Sequence, residues 1–194
     1  MSKSIIAIPE SLPPRLSFIN MVEAHVLSGI RYQHGVSLGA IRRAVDYLAR
    51  EFDSRHPLSE EQFQTDGVNL FIERLGLGLL NVSAPGQLAM REILCALLRR
   101  VDRDDHGLAV RLYPFSRRPT VTLAALNESP RAVVIDPHMA FGRPVLVGTG
   151  VTTFSIAERF DAGESLEELA ADYGRSLSEI QEAIRCELAR RDAA

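Results

Sequence analysis

Residues 133–174 read V-V-I-D-P-H-M-A-F-G-R-P-V-L-V-G-T-G-V-T-T-F-S-I-A-E-R-F-D-A-G-E-S-L-E-E-L-A-A-D-Y-G, and their hydrophobic period changes once along the way. Two short apolar runs, Ala132 to Ile135 and Pro144 to Val147, predict strands on either side of D-P-H-M-A-F-G-R. G-T-G-V-T-T then turns the chain into helices expected at 153–162, 165–173 and 177–191, separated by Gly163 and by Gly174 with Arg175 and Ser176. Leu166, Leu169 and Ala170 are spaced to face Leu177, Ile180, Ile184 and Leu188. Ser176 caps the last helix, with Glu179 at the capping-box position. A β-hairpin followed by three helices, the last two a helix-turn-helix, is the unit that this stretch predicts.

Upstream, Ser17 caps a helix whose apolar positions Phe18, Met21, Val22, Val26 and Ile30 keep helical spacing up to a stop at Gly35. Ser37 caps a second, with Leu38, Ile41, Val45, Leu48 and Phe52 on one face and Arg42, Arg43, Asp46 and Arg50 on the other. This pair, at 17–53, is another helix-turn-helix candidate. In the middle, 68–73 and 79–82 around Gly76 and Gly78 read as a hairpin, and 87–101 reads as a helix. Leu108 to Tyr113 reads as a strand, and 116–131 as a partly ordered linker in which Val121 to Leu126 has strand character. The expected class is α+β, mainly helical, with helix-turn-helix elements and short β-hairpins. The expected division is an N-terminal region at 1–131 and a C-terminal domain at 132–194.

Composition narrows the function classes. The 194 residues are 46% hydrophobic and 24% charged, which excludes a disordered chain and leaves room for a real core. No apolar run reaches the roughly 18 residues of a membrane span, and the start M-S-K-S-I-I-A-I-P-E is too short in apolar residues for a signal peptide. A cytoplasmic protein is expected. Cys95 and Cys186 lack any C-x-x-C spacing and read as core residues. The five histidines are scattered, with no H-E-x-x-H and no G-x-S-x-G, so no catalytic residue, metal site or cofactor is expected. His25 reads as a packing residue, and Asp136 before Pro137 as a turn residue. Gly148 and Gly150 lack the third glycine of a dinucleotide turn, whose place Thr153 takes.

The net charge of −3 conceals an asymmetry: residues 15–55 carry +2, residues 151–194 carry −5, and the rest is neutral. Arg42, Arg43 and Arg50 project from the apolar stripe and either meet DNA phosphates or form a solvated face. In the last helix pair only Arg175, Ser178, Gln181 and Arg185 are suited to DNA, while Glu179 and Glu182 oppose a phosphate backbone. On charge alone, that acidic face is expected to meet protein.

The order I-D-P, G-R-P-V-L, G-T, then A-G-E-S-L-E-E-L-A resembles the small C-terminal domain of VapB-type antitoxins. The likeness rests on Asp136, Pro137, Gly142, Arg143, Pro144, Gly148, Thr149, Gly163, Ser165, Glu167, Glu168 and Ala170. The N-terminal helix pair is similar to the segment preceding that domain in larger VapB-type antitoxins. It is also similar to the later helices of MerR-type regulators, through Gly35, Ser37, Leu38, Ile41 and Arg42. The resemblance implies a non-enzymatic, dimerising type II antitoxin that neutralises a PIN-like ribonuclease toxin and represses its operon by binding operator DNA. It further implies another helix pair ahead of the matched segment in longer members, for which the residues before Phe18 leave no room. The acidic C-terminal helices, through Glu164, Glu167, Glu168 and Asp172, are then the candidate toxin contacts. A stand-alone helix-turn-helix regulator without a toxin is the alternative.

Overall fold

The structure, a computed structural model, describes residues 4–9, 15–34, 37–78, 84–115 and 123–191. The chain divides into two compact units, Met1–Ala109 and Val110–Ala194. The second starts ahead of residue 132 because Leu112 and Ile135 exchange backbone hydrogen bonds of 3.0 and 2.8 Å, drawing the preceding segment to the C-terminal hairpin.

In the first unit, α1 (Phe18–His34) and α2 (Leu38–Glu51) form where the caps predict them. The Ser17 hydroxyl accepts from the Asn20 N–H at 3.1 Å, while Asn20 Oδ1 accepts from the Ser17 N–H at 3.0 Å. Asn20 is fully buried and its Nδ2 donates to the Ala7 carbonyl at 2.8 Å, which ties the leading segment to the helix. Ser37 accepts from the Ala40 N–H at 3.2 Å, and Ala40, Ile41, Ala44, Val45 and Leu48 form the buried stripe of α2. Gly35 lies outside the described residues.

The expected strand at 68–73 is instead part of a helix, α3 (Val68–Gly78), entered through a π-turn at Phe63–Gly67. Val68, Phe71, Ile72 and Leu75 are buried at i, i+3, i+4 and i+7, a helical stripe that the glycines on its C-terminal side disguise. Residues 79–82, the other half of the expected hairpin, lie outside the described residues. Gly67 is needed where it stands: a Cβ there would come within 2.8 Å of Phe63 Cδ2 and 2.9 Å of Phe52 Cε2. Next, α4 (Ala84–Leu98) begins three residues before the expected start, since Pro85 sits in the first turn, where its missing N–H costs nothing. It ends early as well, because Val101–Arg103 becomes a strand, β1, followed by β2 (Ala109–Leu112). Asp104 shapes the intervening turn by accepting from the His106 and Leu108 N–H groups, each at 2.9 Å.

His25 is the packing residue that its place on α1 predicts. Its Nε2 donates to the Leu97 carbonyl at 3.2 Å, and burial pushes its pKa down to about 4, so the ring is neutral. Burial likewise raises the pKa of Glu23, which the 3.0 Å contact from His56 Nδ1 opposes without cancelling.

In the second unit, the expected strand at 121–126 is a short helix, α5 (Leu123–Glu128); L-A-A-L is rich in the best helix formers, and Val121 lies outside the described residues. Next, β3 (Val133–Val134) pairs antiparallel with β4 (Val145–Leu146), Val133 opposite Leu146 and Val134 opposite Val145. Three helices follow: α6 (Thr153–Asp161), α7 (Leu166–Tyr173) and α8 (Leu177–Arg191). Val133, Leu146, Ile156, Leu169, Ile180, Ala183 and Ile184 form one core between the hairpin and the helices. Thr153 Oγ1 binds the junction together, donating to the buried Glu187 Oε1 at 2.5 Å and lying 3.3 Å from the Pro144 carbonyl. No helix among the described residues is long and apolar enough to cross a membrane.

Candidate functional site

Reciprocal caps hold the α7–α8 pair in place. Ser165 Oγ accepts from the Glu168 N–H at 3.2 Å while Glu168 Oε2 takes the Ser165 N–H at 2.8 Å, and Ser176 and Glu179 repeat the pattern at 3.3 and 2.9 Å. These backbone and hydroxyl donors hold both carboxyls below their usual pKa. Gly174, at φ 62° and ψ 39°, ends α7 in the left-handed conformation and reverses the chain. Arg175 then lies over Gly148, whose φ of 74° favours glycine, so the guanidinium rests on the G-T-G turn. Arg175 also pairs with Glu179 Oε1 at 3.8 Å, and its Nε is buried without a hydrogen-bond partner.

The helical period sorts the charges of α8. Ser178 is exposed and Gln181 and Arg185 half-buried, and these three share one outward stripe at i, i+3 and i+7. The acids point elsewhere: Glu182 and Glu187 are buried, Glu182 accepting from Arg185 Nη1 at 2.5 Å, and Glu179 closes the cap. Both carboxylates that oppose DNA in the sequence are thus engaged within the chain, Glu182 by Arg185 and Glu179 by the cap and Arg175.

On α2, Arg43 and Arg50 are exposed with Asp46 between them, and Arg42 is half-buried with its Nε enclosed and without a hydrogen-bond partner. The four acidic candidates are mostly engaged within the chain. Arg159, a residue with no motif to mark it in the sequence, donates from Nε to Glu164 Oε1 at 2.7 Å and from Nη2 to Asp172 Oδ2 at 2.6 Å. Glu168 serves the α7 cap, leaving Glu167 exposed and unbonded among the described residues. Asp136 is nearly buried. Burial opposes its charge, but the His138 N–H at 2.9 Å and Arg111 Nε at 3.0 Å hold its carboxyl below the ordinary value, making it the anchor of a turn. Among the described residues no group of three or more His, Cys, Asp or Glu side chains is placed to hold a metal.

Residues 133–185 match a family model described as "Protein of unknown function (DUF433)". The chain is 29% identical over 187 residues to "Putative antitoxin VapB45" of Mycobacterium tuberculosis, an alignment that spans 91% of this chain and 73% of the relative. It is 30% identical over 186 residues to "Uncharacterized protein Rv2308" of the same organism, spanning 93% and 74%. The crystal structure of Rv2018 from Mycobacterium tuberculosis superposes with a TM-score of 0.67 at 26% identity, covering 93% of this chain and 85% of that one. Both units are thus shared with these relatives, and the capped helix pair lies inside the matched model. The chain belongs to the same family as these relatives, one of which is named "Putative antitoxin VapB45", and its residues 133–185 match the DUF433 model.

Proposed function

We propose that the chain is the antitoxin of a type II toxin–antitoxin pair, neutralising a PIN-like ribonuclease toxin and repressing its own operon by binding operator DNA. The observation that carries the DNA half is the outward stripe of α8, formed by Ser178, Gln181 and Arg185, in which Glu182, the acid that Arg185 pairs with, is itself buried. A helix of this kind lies in the major groove with its N-terminal residues on base edges, and the α7 cap and the seat of Arg175 on Gly148 fix its approach. Arg43 and Arg50 on α2 are the phosphate candidates of the first unit, their charge partly offset by Asp46.

Base-edge contacts contribute about 1–3 kcal/mol each, so Ser178→Ala/Gln181→Ala/Arg185→Ala is expected to weaken binding to the operator by about 100-fold or more. Fluorescence anisotropy with the DNA upstream of the reading frame checks this; unchanged affinity would remove α8 from the interface. For the toxin half, the family relation supports contact with a toxin, and Glu167, exposed on α7 while Arg159 and the cap engage Glu164, Asp172 and Glu168, is the acid left to meet a basic partner. Purified chain is expected to suppress the ribonuclease activity of the toxin encoded beside it. Operator binding with no effect on the nuclease would make the protein a stand-alone regulator.

A further inference from the structure

Arg74 of α3 lies over a side chain of α2. Its guanidinium carbon is 3.8 Å from the centre of the Tyr47 ring, a cation–π contact between two neighbouring helices. Arg74 is exposed and Tyr47 half-buried, so the stack forms at the surface. Tyr47 also shares one side of α2 with the exposed Arg43 and Arg50, the three standing at i, i+4 and i+7. Asp46 is exposed beside this stripe and Glu73 precedes Arg74, yet among the described residues Arg43, Arg50 and Arg74 enter no ion pair with a carboxylate. Stacking occupies the flat face of a guanidinium and leaves its in-plane N–H donors for an acceptor, and phosphate oxygens match that fork. The ring thus limits where Arg74 can swing without using up its donors.

Spacing says which anion suits the patch. At the rise of an α-helix, position 47 is about 6 Å along the axis from position 43 and about 4.5 Å from position 50, so three arginines are strung over roughly 10 Å. One small anion cannot serve all three, whereas a DNA strand presents a charge about every 3.4 Å of its axis. We infer that Arg74 is a third phosphate contact of the N-terminal unit, positioned for the DNA backbone by Tyr47, so that α3 joins α2 in holding the duplex. The inference rests on the DNA reading above, which assigns neither residue. Tyr47 is a positioning residue, acting through the guanidinium stacked on it.

Fluorescence anisotropy of the full chain with operator and unrelated duplexes, each across a range of salt, tests this. Arg74→Gln is expected to bind both duplexes several-fold more weakly, with a salt slope shallower by about one and an unchanged preference for the operator. Tyr47→Phe, which keeps the ring, is expected to bind as wild type does. Tyr47→Leu is expected to weaken binding to both duplexes, by less than Arg74→Gln does, and to cost nothing further once Arg74→Gln is present. A wild-type salt slope for Arg74→Gln, or losses that add in the double variant, would overturn the inference and leave operator reading by α8 standing. A wild type that binds neither duplex would remove the DNA reading, and this inference with it.

Discussion

Phe63→Ala is expected to cost the N-terminal unit about 3–5 kcal/mol, the range for emptying a buried aromatic site. Phe63 is wholly buried and meets the wholly buried Phe71 edge to face, with ring centroids 5.8 Å apart at 84°. It opens the π-turn that leads into α3, and Gly67 packs against its ring so closely that no side chain fits between them. That close approach leaves little freedom for neighbours to collapse into the space, which places the cost in the upper part of the range. Urea denaturation followed by circular dichroism measures it. A loss under 1 kcal/mol would mean that the Phe52–Phe63–Phe71 region is not the packed centre described here.

Acid is expected to act through His25. Its pKa is about 4 in the folded protein against 6.5 when unfolded, so the unfolded chain takes up the proton first. The stability due to the neutral ring is complete above pH 6.5, declines as the pH falls towards 4, and changes no further below that. At 1.36 kcal/mol per pKa unit the full effect is about 3 kcal/mol, and solvent reaching part of the ring reduces it towards about 2 kcal/mol. Glu23 works in the opposite direction, since burial raises its pKa and favours its protonated form in the fold. The measurement is therefore a difference: stability against pH for wild type and for His25→Gln, which keeps a donor for the Leu97 carbonyl. Parallel curves between pH 4 and 6.5 would show that the ring is protonated in the native state.

Where the sequence predicts the fold well, a specific local device explains why. Ser17, Ser37, Ser165 and Ser176 all cap helices, and Gly163 and Gly174 interrupt them with positive φ, so α1, α2, α6, α7 and α8 begin and end close to their expected positions. The expectation at 68–73 fails because Gly76 and Gly78 suggest a hairpin, although V-x-x-F-I-x-x-L already carries the helical stripe. The charge count of the last segment misleads for a related reason. It treats ten acids as one surface, whereas Glu182 and Glu187 are buried, Glu168 and Glu179 close caps, and Arg159 holds Glu164 and Asp172. Segment charge carries no direction, and the helical period supplies it.

The α8 stripe, rather than the arginine face of α2, is expected to distinguish operator from other DNA. Titrating operator and unrelated duplexes across a range of salt, with wild type, Ser178→Ala/Gln181→Ala/Arg185→Ala and Arg43→Ala/Arg50→Ala, measures affinity, discrimination and the number of phosphate contacts together. The α8 variant is expected to lose its preference for the operator. The α2 variant is expected to keep that preference while binding both duplexes several-fold more weakly, with a salt slope shallower by about two. An α8 variant that still prefers the operator, beside an α2 variant that does not, would contradict this assignment.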